Sequence, residues 1–124
     1  MIQSLRSILR GLKNIWKWRK VIYKDGDWDH WYIYEILKTK LKFQAEHLIK
    51  YGYHESSFAD AKQILECVDL LDKVQNEYYI DQGLRGLTDE QWTDDMFKEI
   101  VDKQDNAKKL LFKTLEENIE RWWN

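Results

Sequence analysis

Residues 37–74, LKTKLKFQAEHLIKYGYHESSFADAKQILECVDLLDKV, hold two apolar stripes separated by a polar break. Before the break Leu37, Leu41, Ala45 and Leu48 recur at steps of three and four; after it Ala61, Ile64, Leu65, Val68 and Leu71 do the same. Steps averaging about 3.6 residues put such positions on one face of an α-helix. Gly52 stands where a helix stop belongs. Ser56 or Ser57, with Asp60 in the following turn, offers an N-cap for the next helix. The stretch therefore reads as a helical hairpin. Ile33 extends the first stripe, with Tyr34 and Tyr51 beside it, and gives a helix over 29–51. Tyr79 extends the second and gives a helix over 57–82.

Two charges fall on the inward sides of this hairpin. Lys40 lies about 60° from the stripe centre near Leu37, and Asp72 about 40° from Val68. An antiparallel arrangement brings them to similar heights, and either alone is costly to desolvate. A partly buried Lys40–Asp72 contact is predicted, with Asp69 as the substitute partner.

Working toward the N-terminus, KDGDWDH (24–30) surrounds Gly26 with aspartates, which is turn chemistry. Asp27 and Asp29 suit the positive end of the following helix. With Asp29 as cap, Trp28 and Ile33 have the spacing of a hydrophobic staple. The functional alternative is a metal or acid/base site made of Asp27, Asp29 and His30. The other histidines, His47 and His54, give no recognised ligand spacing, so capping is the preferred reading.

Residues 1–24 form a basic arm. Leu5, Ile8, Leu9, Leu12, Ile15, Trp16, Arg19 and Ile22 follow helical spacing, weakened only by Gly11 in the middle. Arg6, Arg10, Lys13, Lys17, Lys20 and Lys24 follow the same spacing on another face and are the candidate binding face. The arm carries seven cations and no acid; the remaining 13 basic residues stand against all 22 acidic ones, a net charge of −9. The chain divides into a basic amphipathic helix, 1–24, and an acidic helical bundle, 25–124. Such an arm suits an anionic membrane surface, nucleic-acid phosphates or a groove on a protein partner. Its structural alternative is an apolar face packed on the acidic remainder, with the lysines in water.

Toward the C-terminus, GLRGL (83–87) is a connection and TDEQ (88–91) has the form of a capping box, which starts a fourth helix at Asp89. Its seam is Phe97, Val101, Gln104, Lys108, Leu111, Leu115, Asn118 and Trp122, predicting one long helix over 89–122. In ERWWN (120–124) Trp122 falls on that seam and Trp123 about 100° away. The tryptophans are either a plug holding down the last turn or exposed anchors for a partner. Trp16, Trp18, Trp122 and Trp123 are the candidate aromatic anchors.

Composition agrees with an all-α fold, a small bundle of about four helices. Proline is absent and glycine occurs five times in 124 residues, so helices are rarely interrupted. At least ~65% helix and no sheet are expected. The single cysteine, Cys67, excludes an internal disulfide and reads as a core or flank residue. No apolar run approaches the roughly 20 residues of a membrane span, and the N-terminus has no secretory pattern. Catalytic signatures are weak. Glu66-x-x-Asp69 has a spacing that is common by chance in an acid-rich helix, Asp27-x-x-His30 is the nearest approach to a carboxylate-metal motif, and no phosphate loop or nucleophile elbow is present. A non-enzymatic protein without a cofactor is expected.

DWDHWYIYEILKTKLKFQAEHLIKYG (27–52), AKQILECVDLLDKV (61–74) and LFKTLEENIERWWN (111–124) together resemble small tailed-phage proteins of unassigned function. Those open a helix on Asp-Trp-Asp and end in Trp-Trp-Asp; here Asn124 replaces the last Asp and His30 an aromatic. The likeness spans roughly residues 25 to 124 and leaves the arm outside it. It implies a phage accessory protein, in the host cytoplasm or the virion, that binds a host or phage macromolecule, with inhibition of a host process as one form. The alternatives are a peripheral membrane or nucleic-acid binder acting through the arm, and a minor virion structural or assembly component. The oligomeric state is left open.

Overall fold

The computed structural model describes residues 2–26, 30–85 and 87–122, with Asp89 by its backbone only. Of these, 87% are helical and none is in a strand. The elements are α1 (Ile2–Lys24), α2 (His30–Tyr51), α3 (Ser57–Gln75), α4 (Tyr78–Leu84), a 3₁₀ turn at Asp89–Gln91, α5 (Asp94–Asn118) and a 3₁₀ turn at Ile119–Arg121. Contacts divide the chain into two units, Met1–Ile36 and Leu37–Asn124. The division falls inside α2, beyond the change of charge at residue 24.

Among the described residues, the buried side chains lie in the second unit. α2 contributes Lys38, Leu41, Ala45 and Leu48; α3 contributes Ala61, Ile64, Cys67, Val68, Leu71 and Val74; α5 contributes Ile100, Ala107, Leu111 and Leu115, and Trp122 follows. α5 packs on both α3 and α4. The α2–α3 turn is closed by backbone and side chain together: Ser57 N–H donates to the His54 carbonyl at 3.1 Å, and His54 N–H donates to Ser57 Oγ at 3.1 Å. Space makes Gly52 a glycine. A Cβ there would run into the Leu48 carbonyl oxygen and stand 2.6 Å from Ser57 Cβ. Neither serine makes a side-chain cap to the α3 backbone. Ser56 occupies the N-cap position, but its hydroxyl donates to Asp60 Oδ2 at 3.2 Å.

Several boundaries differ from the sequence reading. The helix expected over 57–82 stops at Gln75, because Glu77 takes a left-handed conformation (φ 53°). Asn76 turns its amide back onto the Asp72 carbonyl (3.0 Å) and carboxylate (3.2 Å), securing the break. TDEQ forms half a capping box: Gln91 Oε1 accepts the Thr88 N–H at 3.0 Å, but only a 3₁₀ turn follows. α5 starts at Asp94 instead of Asp89, capped by Thr93 Oγ1 accepting from Met96 N–H at 3.1 Å. Its α-helix ends at Asn118.

The inward faces also move. On α2, Ile33 is 70% exposed, while Lys38 is buried. With the stripe centred among Lys38, Leu41, Ala45 and Leu48, Lys40 swings to about 120° from it and is exposed. The charge pair is therefore Lys38 with Asp72, at 2.9 Å, and not Lys40 with Asp72. Asp69 pairs within its own helix, with Lys73 at 3.2 Å. On α3, Leu65 is exposed and Cys67 and Val74 are buried in its place. The first half of the α5 seam runs one residue earlier than predicted, through Ile100 and Ala107, leaving Phe97 and Lys108 exposed. The Asp27–Asp29 capping and staple reading lies outside the described residues.

Candidate functional site

α1 follows from its residue types: leucine, isoleucine, lysine and arginine sustain a helix of 23 residues, about 34 Å long. Lys24 lies in its last turn, where a cation complements the helix dipole, and no acid occupies the first. No residue of α1 is buried. Its apolar side chains stand in the open: Leu5, Ile8, Leu9, Leu12, Ile15 and Trp16 are each between 51% and 67% exposed.

The six predicted cations are all exposed on this helix. Arg6, Arg10, Lys13, Lys17, Lys20 and Lys24 advance by four and three residues alternately, so neighbours are about 4.5–6 Å apart along the axis. Arg10 also donates to Ser7 Oγ at 3.5 Å. Arg19, the seventh cation, behaves differently. Its guanidinium carbon lies 3.6 Å over the Trp16 ring centroid, and Nη1 donates to the Trp16 carbonyl at 2.6 Å. That stacking keeps a charge on the apolar side of the helix at modest cost, because the ring face attracts the cation.

The four candidate aromatic anchors have different environments. Trp16 is 67% exposed and Trp18 half-buried. Trp122 is 4% exposed and cannot serve as an open anchor. It is a plug: its Nε1 donates to Gln63 Oε1 at 3.0 Å and its carbonyl accepts from Gln44 Nε2 at 2.8 Å. Arg121 beside it reaches Gln63 Oε1 at 2.6 Å and the buried Asp60 carboxylate at 3.4 Å. Trp123 lies outside the described residues.

Sequence reasoning missed a small groove within the first unit, lined by Lys20, Val21, Lys24, Trp31, Tyr32 and Glu35. The signal that could have found it is proximity in sequence, since Trp31 follows Lys24 by only seven residues. Partial burial, followed by the Glu35 and Asp25 carboxylates, pushes the Tyr32 hydroxyl pKa up. A second shallow groove runs along α5 between Lys108, Lys109, Phe112, Lys113 and Glu116.

The groups considered for chemistry are dispersed. Burial pushes the Cys67 thiol up to about 11, which keeps it protonated and unreactive at neutral pH. His30 is exposed, its ring edge-on to Tyr34 at 6.0 Å. Glu66 and Asp69 are exposed, with Asp69 engaged by Lys73. Among the described residues no cluster of three or more His, Cys, Asp or Glu could hold a metal ion, and no helix is long and apolar enough to cross a membrane. Comparison of the chain with protein families, curated proteins and solved structures found no match.

Proposed function

We propose that this protein is a non-catalytic phage accessory protein that binds a macromolecule, and that α1 is its docking element. The observation that carries the reading is the exposure on one helix of both a continuous apolar face and a line of six cations. Surface helices ordinarily cover their apolar face, and contiguous exposed apolar patches mark interaction sites. The phage setting, in host cytoplasm or virion, is supported by the resemblance over residues 25–124. The acidic second unit then serves as the folded carrier of the arm.

A protein partner bound by the carrier is a second reading. It is favoured by the α5 groove, where Phe112 is 47% exposed among Lys108, Lys109 and Lys113 and Leu110 nearby is 56% exposed. Binding of the full-length chain and of a chain lacking residues 1–24 to anionic vesicles, duplex DNA and candidate host proteins separates the two. Loss of association on removing the arm supports docking through α1; association fully retained by the shortened chain moves the function to the carrier.

A further inference from the structure

The occupant of α1 can be argued from how its two faces adjoin. At about 100° per residue, Leu5, Ile8, Leu9, Leu12, Ile15 and Trp16 fall within an arc of about 120°. The cation line begins at one edge of that arc, with Lys20 and Lys13 nearest to it. Trp18 stands beyond the other edge. A suitable partner must therefore take up apolar side chains and anionic groups along the same 34 Å or so of helix.

A second copy of the helix meets only half of that demand. Leu5, Ile8, Leu12 and Ile15 have coiled-coil spacing, but Arg19 takes the next seam position. The positions flanking the seam, Ser4, Leu9, Gly11, Trp16 and Trp18, offer no acid to a partner's cations. Duplex nucleic acid meets the other half, pairing phosphates with the cation line while leaving the apolar arc in water. An anionic bilayer surface meets both, because the acyl boundary takes the arc and the headgroups lie beside it.

Resting on the reading of α1 as the docking element, we propose that α1 lies in the interfacial plane of an anionic lipid bilayer. The apolar arc is sunk to the acyl boundary and the cation line lies at the level of the headgroup phosphates. Trp16 and Trp18 sit at the interface, where their amphipathic rings are favoured. Arg19 enters with its guanidinium stacked on Trp16, its stem following the apolar surface.

The test is flotation of the full-length protein with vesicles of phosphatidylcholine alone and of equimolar phosphatidylcholine and phosphatidylglycerol. The protein should float with the anionic vesicles only, and Leu12→Glu should reduce binding by roughly tenfold or more. Ile8→Glu should act alike, and the pair Lys13→Glu with Lys17→Glu should weaken binding and flatten its salt dependence. These positions are exposed, and circular dichroism of each variant verifies that its helices are intact. Vesicle binding insensitive to Leu12→Glu overturns the insertion. Binding to duplex DNA without vesicle binding, or a stable oligomer in sedimentation that Leu12→Glu dissolves, overturns the lipid proposal while keeping α1 as the docking element. If none of these associations occurs, or none responds to the variants, both the lipid proposal and the reading of α1 fail.

Discussion

Lys38 is the one lysine buried among the described residues, at 7% exposure. Its ammonium donates to Asp72 Oδ1 at 2.9 Å and to Gln75 Oε1 at 2.7 Å, with 9% of its side chain exposed. A lysine at core spacing reads as polar, so Ile33 and Leu37 set the expected stripe and directed attention to Lys40. Asp72 was legible because it flanks Val68; its partner was displaced by two residues. Lys38→Met should destabilise by about 1–3 kcal/mol in urea unfolding, chiefly by stripping a partner from the buried Gln75 amide. The Asp72 carboxylate is 54% exposed and water screens much of its share. Lys38→Met with Gln75→Leu should recover much of the loss, and Lys40→Met should be nearly neutral. Equal effects of Lys38→Met and Lys40→Met would contradict this assignment. Cys67 supplies a pH dependence. Its folded pKa is raised to about 11 by burial, above the ordinary thiol range. Its stabilising contribution is thus fully present below the unfolded pKa and lost as pH rises through the folded one. Cys67→Ala should shrink the fall in stability between roughly pH 9 and 11; an alkaline limb unchanged by that substitution would show the thiol is irrelevant to it.

Among the helices, existence was readable from apolar spacing and several ends were not. The break after Gln75 depends on Glu77 accepting a left-handed backbone, a cost of roughly 1–2 kcal/mol that favours glycine. Continuous helical spacing through Tyr79 hid it. What the break permits is visible at Gly83, where α4 meets α5 so closely that a Cβ would lie 2.5 Å from Ile100 Cγ1. Gly83→Ala gains helix propensity of about 1 kcal/mol but forces the buried Ile100 side chain to shift, at a typical overpacking cost of about 1–3 kcal/mol. Net destabilisation is expected, and Gly83→Ala should cost less in an Ile100→Ala background, because alanine removes the Cγ1, Cδ1 and Cγ2 atoms that the new Cβ would meet. Additive effects of the two substitutions would deny the contact. Gly11 is the contrasting case: nothing lies within 4 Å of a Cβ there. Gly11→Ala should simply raise the helicity of α1 in circular dichroism. The α5 start was missed for a different reason. TDEQ does make the Gln91–Thr88 hydrogen bond of a capping box, but Thr93 with Asp94 and Asp95 in the first turn is the stronger start.

The basic arm and acidic remainder were legible as charge, since no acid interrupts residues 1–24, and the all-helical class followed from absent proline and sparse glycine. What covers the arm was not legible, because an amphipathic pattern is the same whether the apolar face packs inside a protein or awaits a partner. Among the described residues the buried side chains run from Lys38 to Trp122, and α1 contributes none. A chain lacking residues 1–24 should therefore keep a cooperative unfolding transition, with stability within about 0.5 kcal/mol of the full-length protein, as for changes away from a core. Its net charge moves from −2 to −9, because seven cations and no acid are lost, and its isoelectric point falls. Greater self-repulsion in that chain should make its stability rise more with added salt than that of the full-length protein. Urea unfolding of both chains at low and high salt measures the two effects together. Loss of the cooperative transition would mean that the apolar face of α1 belongs to the core after all. An unchanged transition with the added salt response means that the arm is energetically separate from the fold, as a helix reserved for an outside surface must be.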